Sequence, residues 1–512
     1  MAQVAHGAGA GARAQDGGPP PASPVPAAWL PPGFRLTMDP DLCRIDDGTV
    51  LVGGSPLRLL RLTPEGGALL DRLADGEPLP PTIGAQRLGR RLLDAGMAHP
   101  RPGGCELGVE DVTVVIPVRD RPLGLEITLR SLARVGSVVV VDDGSVNAHE
   151  AQEVVGARPP AVLLRHERPR GPGAARNTGW RASETPLVAF VDADCEPAPG
   201  WLAPLLVHFA DPSVAACAPR VSSPPSPPTP QPPQSSWALA TSSLAAYESA
   251  RSPLDRGDRE APVRPRGRVP FVPTAAIVVR RRALVALDGF DEGLLVGEDV
   301  DLVWRLHAAG WTVRYEPAAS VAHPPRTSLR RWLRQRFDYG TSAAPLAARH
   351  GCSVAPLAVS AWSVGAWGLV AAGAPAAGLG VATATTAFLA LRLGALDHPW
   401  RTAARLAGGG HLHAGRSIAE AVRRSWWPLA ALIAAGVPRA RRPVMAAMTL
   451  PLILDWPRGR IGLSLPGWTI LRLLDDLAYG SGLWAGCARA RSMRALLPDL
   501  SSWPGRGAAV ER

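Results

Sequence analysis

The centre of the chain alternates between apolar runs and amphipathic segments. Val112–Val118 is an apolar run of the kind expected for a strand buried on both faces. Leu125–Val135 has the periodicity of an amphipathic helix. The same patterns predict strands at Ser137–Val141, Val162–His166, Leu187–Val191, Phe271–Val279 and Thr312–Tyr315, and a helix at Asp299–Ala309. This alternation predicts an α/β domain, at residues 105–345, with a mainly parallel sheet flanked by helices.

The N-terminal hundred residues divide into two parts. Residues 1–32 are rich in Ala, Gly and Pro and are predicted to form a leader without fixed structure. Residues 33–104 contain a strand around Val50, a helix opened by Thr63 and a second helix at Ile83–Ala95 that stops at Gly96. This pattern fits a small winged-helix-like module, which resembles small peptide-binding domains. It fits equally well an extension packed on the main domain.

The C-terminal third, residues 346–512, has a different composition. Residues 351–391 contain no charged side chain, which is enough for two bilayer spans of about 20 residues that turn at Ala374-Pro375. The flanking arginines then place the catalytic domain on the cytoplasmic side of a cell membrane. The alternative is a buried helical hairpin in a soluble domain. Residues 426–436 and 444–454 flank a basic cluster at 439–442 and fit either an interfacial segment or a core helix.

Composition limits the partners. The net charge is +11, but every basic residue is arginine, and the heavy use of Arg, Ala, Gly and Pro is typical of a GC-rich coding bias. No aromatic-interleaved basic stripe is present, so nucleic acid is not an expected partner. The six cysteines form no C-x-x-C pair, which argues against structural zinc and favours reduced thiols. A proline- and serine-rich stretch, Ser222–Ser236, is predicted to be a solvated insertion in the α/β domain.

Polar clusters follow three of the predicted strands. Pro117-Val-Arg119-Asp ends the first strand, Asp142-Asp143-Gly-Ser ends the second and Asp192-Ala-Asp194 ends the fourth. Because ligands bind outside the carboxyl ends of strands in open α/β sheets, these clusters are expected to converge on one site. The absence of a G-x-G-x-x-G motif after the first strand disfavours a dinucleotide-dependent dehydrogenase.

Two further motifs add phosphate and acid–base chemistry. Asp192 and Asp194 fall on the same side of an extended segment, where carboxylates suit Mg²⁺ or Mn²⁺ bound together with substrate phosphates. A Gly-rich turn at residues 170–179 carries Arg176, which suits contact with phosphate or a base, or is a plain helix cap. Glu298, Asp299 and Asp301 open a helix, and one of these acids can serve as a general base.

The region from about Val112 to His323 resembles the family-2 inverting glycosyltransferases, which have the GT-A fold. The resemblance implies a nucleotide-diphosphate-sugar donor and a single displacement with inversion. Carried onto this chain, it implies Asp299 as catalytic base and Asp194 as the ligand of Mg²⁺ or Mn²⁺, with His323 either completing the metal or diphosphate site or serving as a surface or capping residue. The donor side comprises Pro117, Arg119, Asp142, Asp143, Arg176 and Asp192, and the acceptor side comprises Glu298, Asp301 and Arg305.

Segments outside that region resemble the glycosyltransferases of the mycofactocin biosynthetic system. They are Arg61-Leu-Thr-Pro, the segments that begin at Arg336 and Arg424, and the segment that begins at Asp475. This resemblance implies transfer of glucose from UDP-glucose to a small peptide-derived acceptor, the mycofactocin precursor, to build a β-1,4-linked oligoglucose chain. A polysaccharide-synthase Gln-x-x-Arg-Trp motif is present only as scrambled pieces. The alternatives are a lipid or cell-envelope polysaccharide acceptor, or a non-catalytic nucleotide-sugar-binding protein.

Overall fold

A computed structural model describes residues 29–223, 236–456 and 463–500, without the side chains of residues 236–242. Residues 1–28 of the predicted leader, and 224–235 of the predicted proline-rich insertion, lie outside the described residues.

The N-terminal segment forms two small antiparallel sheets and two helices. Thr63 and Thr82 cap the N-termini of the helices, and Gly96 ends the second in a left-handed conformation, as predicted. The elements are β1 (Arg35–Met38), β2 (Cys43–Ile45), β3 (Val50–Gly53), β4 (Arg58–Arg61), α1 (Pro64–Ala74), α2 (Ile83–Ala95) and β5 (Ala98–Arg101). Strand β1 pairs with β5, and β2, β3 and β4 form the second sheet.

This segment has its own apolar core and also packs on the α/β domain. Leu51, Leu70 and Leu92 are buried in the core. The guanidinium of Arg264 crosses to the segment, where it donates to the carbonyls of Ser55 (2.6 Å) and Ala95 (3.0 Å). The N-terminal segment is therefore held against the sheet domain by buried polar contacts as well as by its own core.

The α/β domain contains the elements that carry the predicted motifs. Its first half comprises β6 (Val112–Val118), α3 (Pro122–Ser131), β7 (Ser137–Asp142), α4 (Ala148–Gly156), β8 (Val162–Arg165), α5 (Pro172–Arg181), β9 (Leu187–Val191), β10 (Glu196–Pro197), α6 (Leu202–Leu206) and β11 (Val214–Ser222). Its second half comprises α7 (Ser236–Arg251), β12 (Ala261–Pro262), β13 (Ala276–Arg280), α8 (Arg281–Leu287), α9 (Glu298–Ala308) and β14 (Thr312–Ala322).

Within the described residues, these strands form one mixed sheet of nine strands, so the expectation of a mainly parallel sheet is confirmed only in part. The order is β10-β14-β11-β13-β9-β6-β7-β8, with β12 paired to β14. Strands β9, β6, β7 and β8 are parallel to one another, as predicted. Strand β13 runs antiparallel to both of its neighbours, β9 and β11.

Apolar residues cover both faces of the sheet. Along β6, Val114 and Ile116 point into one core layer, whereas Val115 points into the other with Phe190 and Trp180. This period-2 alternation between two apolar layers is why the strand has no polar face in sequence. The carboxyl ends of β6, β7 and β9 are thereby fixed side by side at one edge.

The described chain after β14 is mainly helical. The helices are α10 (Leu329–Thr341), α11 (Ala343–His350), α12 (Ala361–Ala371), α13 (Pro375–Arg392), α14 (Pro399–Ala403), α15 (Gly409–Arg424), α16 (Trp427–Gly436), α17 (Arg441–Asp455) and α18 (Leu465–Arg489). Helices α10 and α18 pack backbone against backbone, and a Cβ atom at Gly482 would collide with the carbonyl of Phe337. Glycine at this position therefore sets the distance between the two helices.

The predicted pair of membrane spans at 351–391 is not formed. Along the described parts of the chain, no helix has both the length and the apolar character that a bilayer crossing requires. Residues 351–360 lie outside the α-helices, so α12 has only 11 residues and is about 16 Å long. The uncharged stretch predicted a helical hairpin, and the chain does turn just before Pro375. The composition could not predict that the first helix would be this short.

Candidate active site

The first polar cluster forms the junction between β6 and β7. Pro117 is paired with Val141 inside the sheet, and Arg119 lies half-exposed just beyond it. The backbone N–H of Asp120 donates to the hydroxyl of Ser145 at 2.9 Å, which ties the two strand ends together. An exposed arginine thus lies beside this junction, with its Nε 3.6 Å from Asp120 Oδ2.

Asp142 and Asp143 are buried and bind neighbouring parts of the protein. Asp142 accepts hydrogen bonds from the backbone of Ser145 (2.9 Å) and from Arg165. Asp143 accepts from the backbone N–H groups of Arg170 and Gly171, each at 2.8 Å, and lies 2.8 Å from His166 Nδ1. Both carboxylates therefore fix the loops that lead from β7 and into α5, and their contact with uridine stays a prediction.

Arg176 joins the donor carboxylates to the base helix. It is buried on α5, and its guanidinium donates to Asp192 Oδ1 (2.8 Å) and Glu298 Oε1 (2.8 Å). Asp192 directly follows β9, and Glu298 is the first residue of α9. The single guanidinium of Arg176 thus bridges two carboxylates that are more than 100 residues apart in sequence.

Asp194 and His323 come together from opposite ends of the α/β domain. His323 Nε2 lies 3.6 Å from Asp194 Oδ1, and the second carboxylate oxygen of Asp194 is bound by Arg121. Burial lowers the pKa of His323, which favours the neutral imidazole that coordinates metals. Sequence reasoning missed Arg121, because nothing in the motif distinguished it from the neighbouring Arg119.

The Asp194–His323 pair fits a divalent cation that takes further ligands from its substrate. In the regions that the structure describes, no three His, Cys, Asp or Glu side chains form a complete ligand set. Mg²⁺ in proteins is commonly held by one or two carboxylates plus substrate phosphates.

Asp299 lies at the start of α9, two residues after Gly297, which has a left-handed backbone conformation that favours glycine. Gly297 has φ +86°, and Asp299 Oδ1 accepts a hydrogen bond from the N–H of Val300 at 2.8 Å. Burial raises the pKa of Asp299, and burial together with the charge of Asp299 raises the pKa of Glu298 to about 7. A carboxylate whose basicity is raised in this way is suited to accept a proton.

A cavity of about 1060 Å³ opens in front of these acids. Arg176, Asp192, Glu298 and Asp299 line one wall, and Tyr339 of α10 belongs to the opposite wall with residues of α11, α15 and α18. The C-terminal helices are therefore part of the site. This cavity is large enough for a sugar together with a drug-sized acceptor.

Arg256 lines the cavity and is another arginine that sequence reasoning missed. Its guanidinium stacks on Phe271, 3.9 Å from the ring centroid, and its buried Nε and Nη2 atoms have no hydrogen-bond partner among the residues that the structure describes. Burial lowers its pKa to about 10, and the charge of Asp299 opposes that shift. No local motif surrounds Arg256, so only the fold reveals its position beside the acid.

Two residues assigned to the acceptor side lie elsewhere. Asp301 is fully buried, where its carboxylate binds Arg305 (2.7 Å) and His350 (2.9 Å). Arg305 also donates to the carbonyls of Leu287 and Gly289. Of the three predicted acceptor-side residues, Glu298 lines the cavity beside Asp299, whereas Asp301 and Arg305 do not. The predicted metal ligands Asp194 and His323 are not among the lining residues either.

The sequence is similar to those of known glycosyltransferases. Residues 113–285 match the family model described as glycosyl transferase family 2. A pre-mycofactocin glycosyltransferase of Mycobacterium tuberculosis is 42% identical over 486 residues, which cover 93% of this chain and 99% of that protein. Human polypeptide N-acetylgalactosaminyltransferase 9 is 28% identical over 203 residues, 37% of this chain and 32% of its own length.

Solved structures were also compared. A mannosyltransferase from Pyrobaculum calidifontis, in complex with GDP-mannose and Mn²⁺, aligns with 76% of this chain and 90% of its own, at 17% identity and a TM-score of 0.36.

The α/β fold, the matched family model and the acids at the strand ends define a glycosyltransferase of family 2 with a GT-A-like fold. The match to the mycobacterial protein extends through the N-terminal segment and the C-terminal helices as well as the sheet. The chain belongs to the family of the pre-mycofactocin glycosyltransferases.

Proposed function

We propose that this enzyme transfers glucose from UDP-glucose to a hydroxyl group of the mycofactocin precursor and extends it into a β-1,4-linked oligoglucose chain. The observation that carries the proposal is the 42% identity, over nearly the full length of both chains, to a pre-mycofactocin glycosyltransferase. The small peptide-derived acceptor is inferred from that relative.

The proposed reaction is a single displacement with inversion at the anomeric carbon. Asp299 accepts the proton of the acceptor hydroxyl as its oxygen attacks, and the bond between the sugar and the nucleotide diphosphate breaks. The raised pKa of Asp299 supports this role, because a stronger base takes the proton more readily. Arg176 holds Asp192 on the donor side and Glu298 beside the base in one fixed arrangement.

The leaving diphosphate requires positive charge. Asp194 and His323 would hold Mg²⁺ or Mn²⁺, and the ion would neutralise the negative charge that develops on the diphosphate. Arg121, which binds Asp194 in this structure, is near enough to contribute a second positive charge at the same place. Arg119 and the loops fixed by Asp142 and Asp143 form the proposed nucleoside side of the donor site.

Arg256 is proposed to serve the acceptor side in place of Asp301 and Arg305. Two arginines, Arg176 and Arg256, act electrostatically on Asp299. Arg176 also contacts Asp192, whereas Arg256 contacts neither Asp192 nor Asp194. The base is thus under the influence of a donor-side arginine and of an arginine with N–H groups that no described residue binds. An acceptor oxygen bound by Arg256 would place a neighbouring hydroxyl group close to Asp299.

The test is a comparison of donors with purified enzyme. UDP-glucose, UDP-galactose, UDP-N-acetylglucosamine and GDP-mannose are each offered with the mycofactocin precursor, with and without Mg²⁺ or Mn²⁺, and the products are followed by mass spectrometry. Successive hexose additions from UDP-glucose that stop on addition of EDTA support the proposal. Donor turnover without modification of this acceptor would instead favour a lipid or envelope polysaccharide acceptor.

A further inference from the structure

The hairpin formed by α16 and α17 exposes an unusual amount of apolar surface. Its large exposed apolar side chains are Leu429, Leu432, Ile433, Val437, Met445, Leu450, Ile453 and Leu454, and Leu432 is 70% exposed. Exposed apolar side chains scattered singly are normal in soluble proteins, but a concentration within 28 residues marks an interaction surface.

Part of the hairpin packs on the other C-terminal helices, and the rest is exposed. Ala430 and Leu452 are buried, and Trp468 of α18 donates a hydrogen bond to the carbonyl of Leu452 at 3.3 Å. At the turn, Arg441 Nε donates to the carbonyl of Ala434 at 3.0 Å, which holds the two helices together. The exposed segment is therefore an ordered projection from the C-terminal helices.

The hairpin carries three arginines and one acid, Asp455 at the end of α17, which pairs with Arg416 of α15. The three arginines, Arg439, Arg441 and Arg442, lie exposed at the turn, and none has a carboxylate partner among the described residues. Apolar side chains directly beside unpaired cations match a surface that is anionic outside and apolar beneath.

We propose that the α16–α17 hairpin docks on the surface of an anionic lipid bilayer, with its apolar side chains in the headgroup region and its arginines on lipid phosphates. A second copy of the chain fits this face less well, because a twofold contact at the turn would bring the same three arginines together. The α12–α13 hairpin also exposes the apolar side chains of Trp362, Leu379 and Phe388. This inference is independent of the donor and acceptor proposed above.

Vesicle flotation tests the docking directly. The full-length protein is mixed with vesicles of phosphatidylcholine containing phosphatidylglycerol, or of phosphatidylcholine alone. Wild-type protein is expected to float with the anionic vesicles. The Arg439→Gln/Arg441→Gln/Arg442→Gln variant is expected to bind them about a hundredfold more weakly, since each arginine near an anionic surface contributes about 1 kcal/mol. The Leu432→Asp/Ile433→Asp variant is expected to bind at least tenfold more weakly.

The matched control is Leu57→Asp, at an apolar residue that is 63% exposed in the N-terminal segment. It is expected to float like wild type, and all variants are expected to keep UDP-sugar affinity, which shows that they are folded. The proposal is overturned if the wild-type protein does not bind anionic vesicles at low salt, or if both hairpin variants float like wild type. It is also overturned if the hairpin variants only convert a dimer to a monomer in light scattering, which would identify a self-association surface.

Discussion

Arg176 and Glu298 form a buried ion pair, with 2.8 Å between Nη1 and Oε1, that fastens α5 to the first turn of α9. The same guanidinium holds Asp192 at 2.8 Å, so the end of β9 is fixed to the helix that carries Asp299. The position of the base relative to the donor carboxylates therefore depends on one side chain that does not itself need to touch the acceptor.

Replacing Arg176 with glutamine should destabilise the protein strongly. The change leaves Asp192 and Glu298 without their cation in a buried site, which costs about 3–5 kcal/mol for a broken buried pair. Chemical unfolding of the purified variant measures this loss. Arg181→Gln is the matched control, since Arg181 pairs with an exposed Asp288 and should lose less than about 1 kcal/mol. Equal stability of the two variants would show that the Arg176 bridge does not hold the site.

Glu298 should make stability fall as pH rises. Its pKa is raised from 4.5 to about 7, so the folded protein keeps a proton that the unfolded chain releases between those values. Compared with Glu298→Gln, wild type should lose about 1–3 kcal/mol of unfolding free energy between pH 5 and pH 7.5. Urea unfolding at several pH values provides the comparison. Glu292, whose pKa is lowered mainly by a hydrogen bond from Asn177, should contribute with the opposite sign.

Asp194→Ala should weaken metal-dependent donor binding. The carboxylate is one of the two protein groups placed to hold the cation, so UDP-sugar affinity in the presence of Mn²⁺ should fall at least tenfold, while affinity measured in EDTA should change little. Titration calorimetry separates the two conditions. Glu126→Gln removes an exposed carboxylate on α3 and should match wild type. A donor affinity that does not depend on Asp194 would remove this residue from the metal site.

Gly482→Ala should disrupt the packing of α10 on α18. The added Cβ would collide with the carbonyl of Phe337, and a rigid backbone atom cannot move aside as a flexible side chain can. We expect a loss of about 1–3 kcal/mol, typical of overpacking. Gly368→Ala on α12 meets open space and should instead stabilise the protein by up to about 1 kcal/mol. Thermal unfolding of both variants distinguishes a specific contact from a general tolerance of alanine.

The sequence predicted the parts of the fold that depend on local pattern. The strand ends that carry Asp142 and Asp192, and the helix start that carries Asp299, are where the apolar periodicity placed them. The direction of β13 could not be predicted, since an apolar run is the same in a parallel and an antiparallel strand. Arg121 and Arg256 were hidden among the many arginines of the chain, because their roles depend on contacts across the fold.

The acceptor side shows a second limit of sequence reasoning. Asp301 shares the acidic cluster of Asp299, but it lies two residues further along the helix and therefore on another face, where Arg305 and His350 bind it. A cluster of acids in sequence becomes two separate sites in the structure.

The rate of glucose transfer by the Asp299→Asn variant is the measurement that tests the central claim most directly. Wild type and the variant are compared in single turnovers of UDP-glucose with the mycofactocin precursor, and the glucosylated product is quantified by mass spectrometry. The account predicts a loss of at least about 100-fold in the rate of transfer, as removal of a general base implies, with UDP-glucose affinity unchanged. Asp288→Asn, at an exposed carboxylate, should retain the wild-type rate. Wild-type turnover by Asp299→Asn would contradict the assignment of the base and the mechanism built on it.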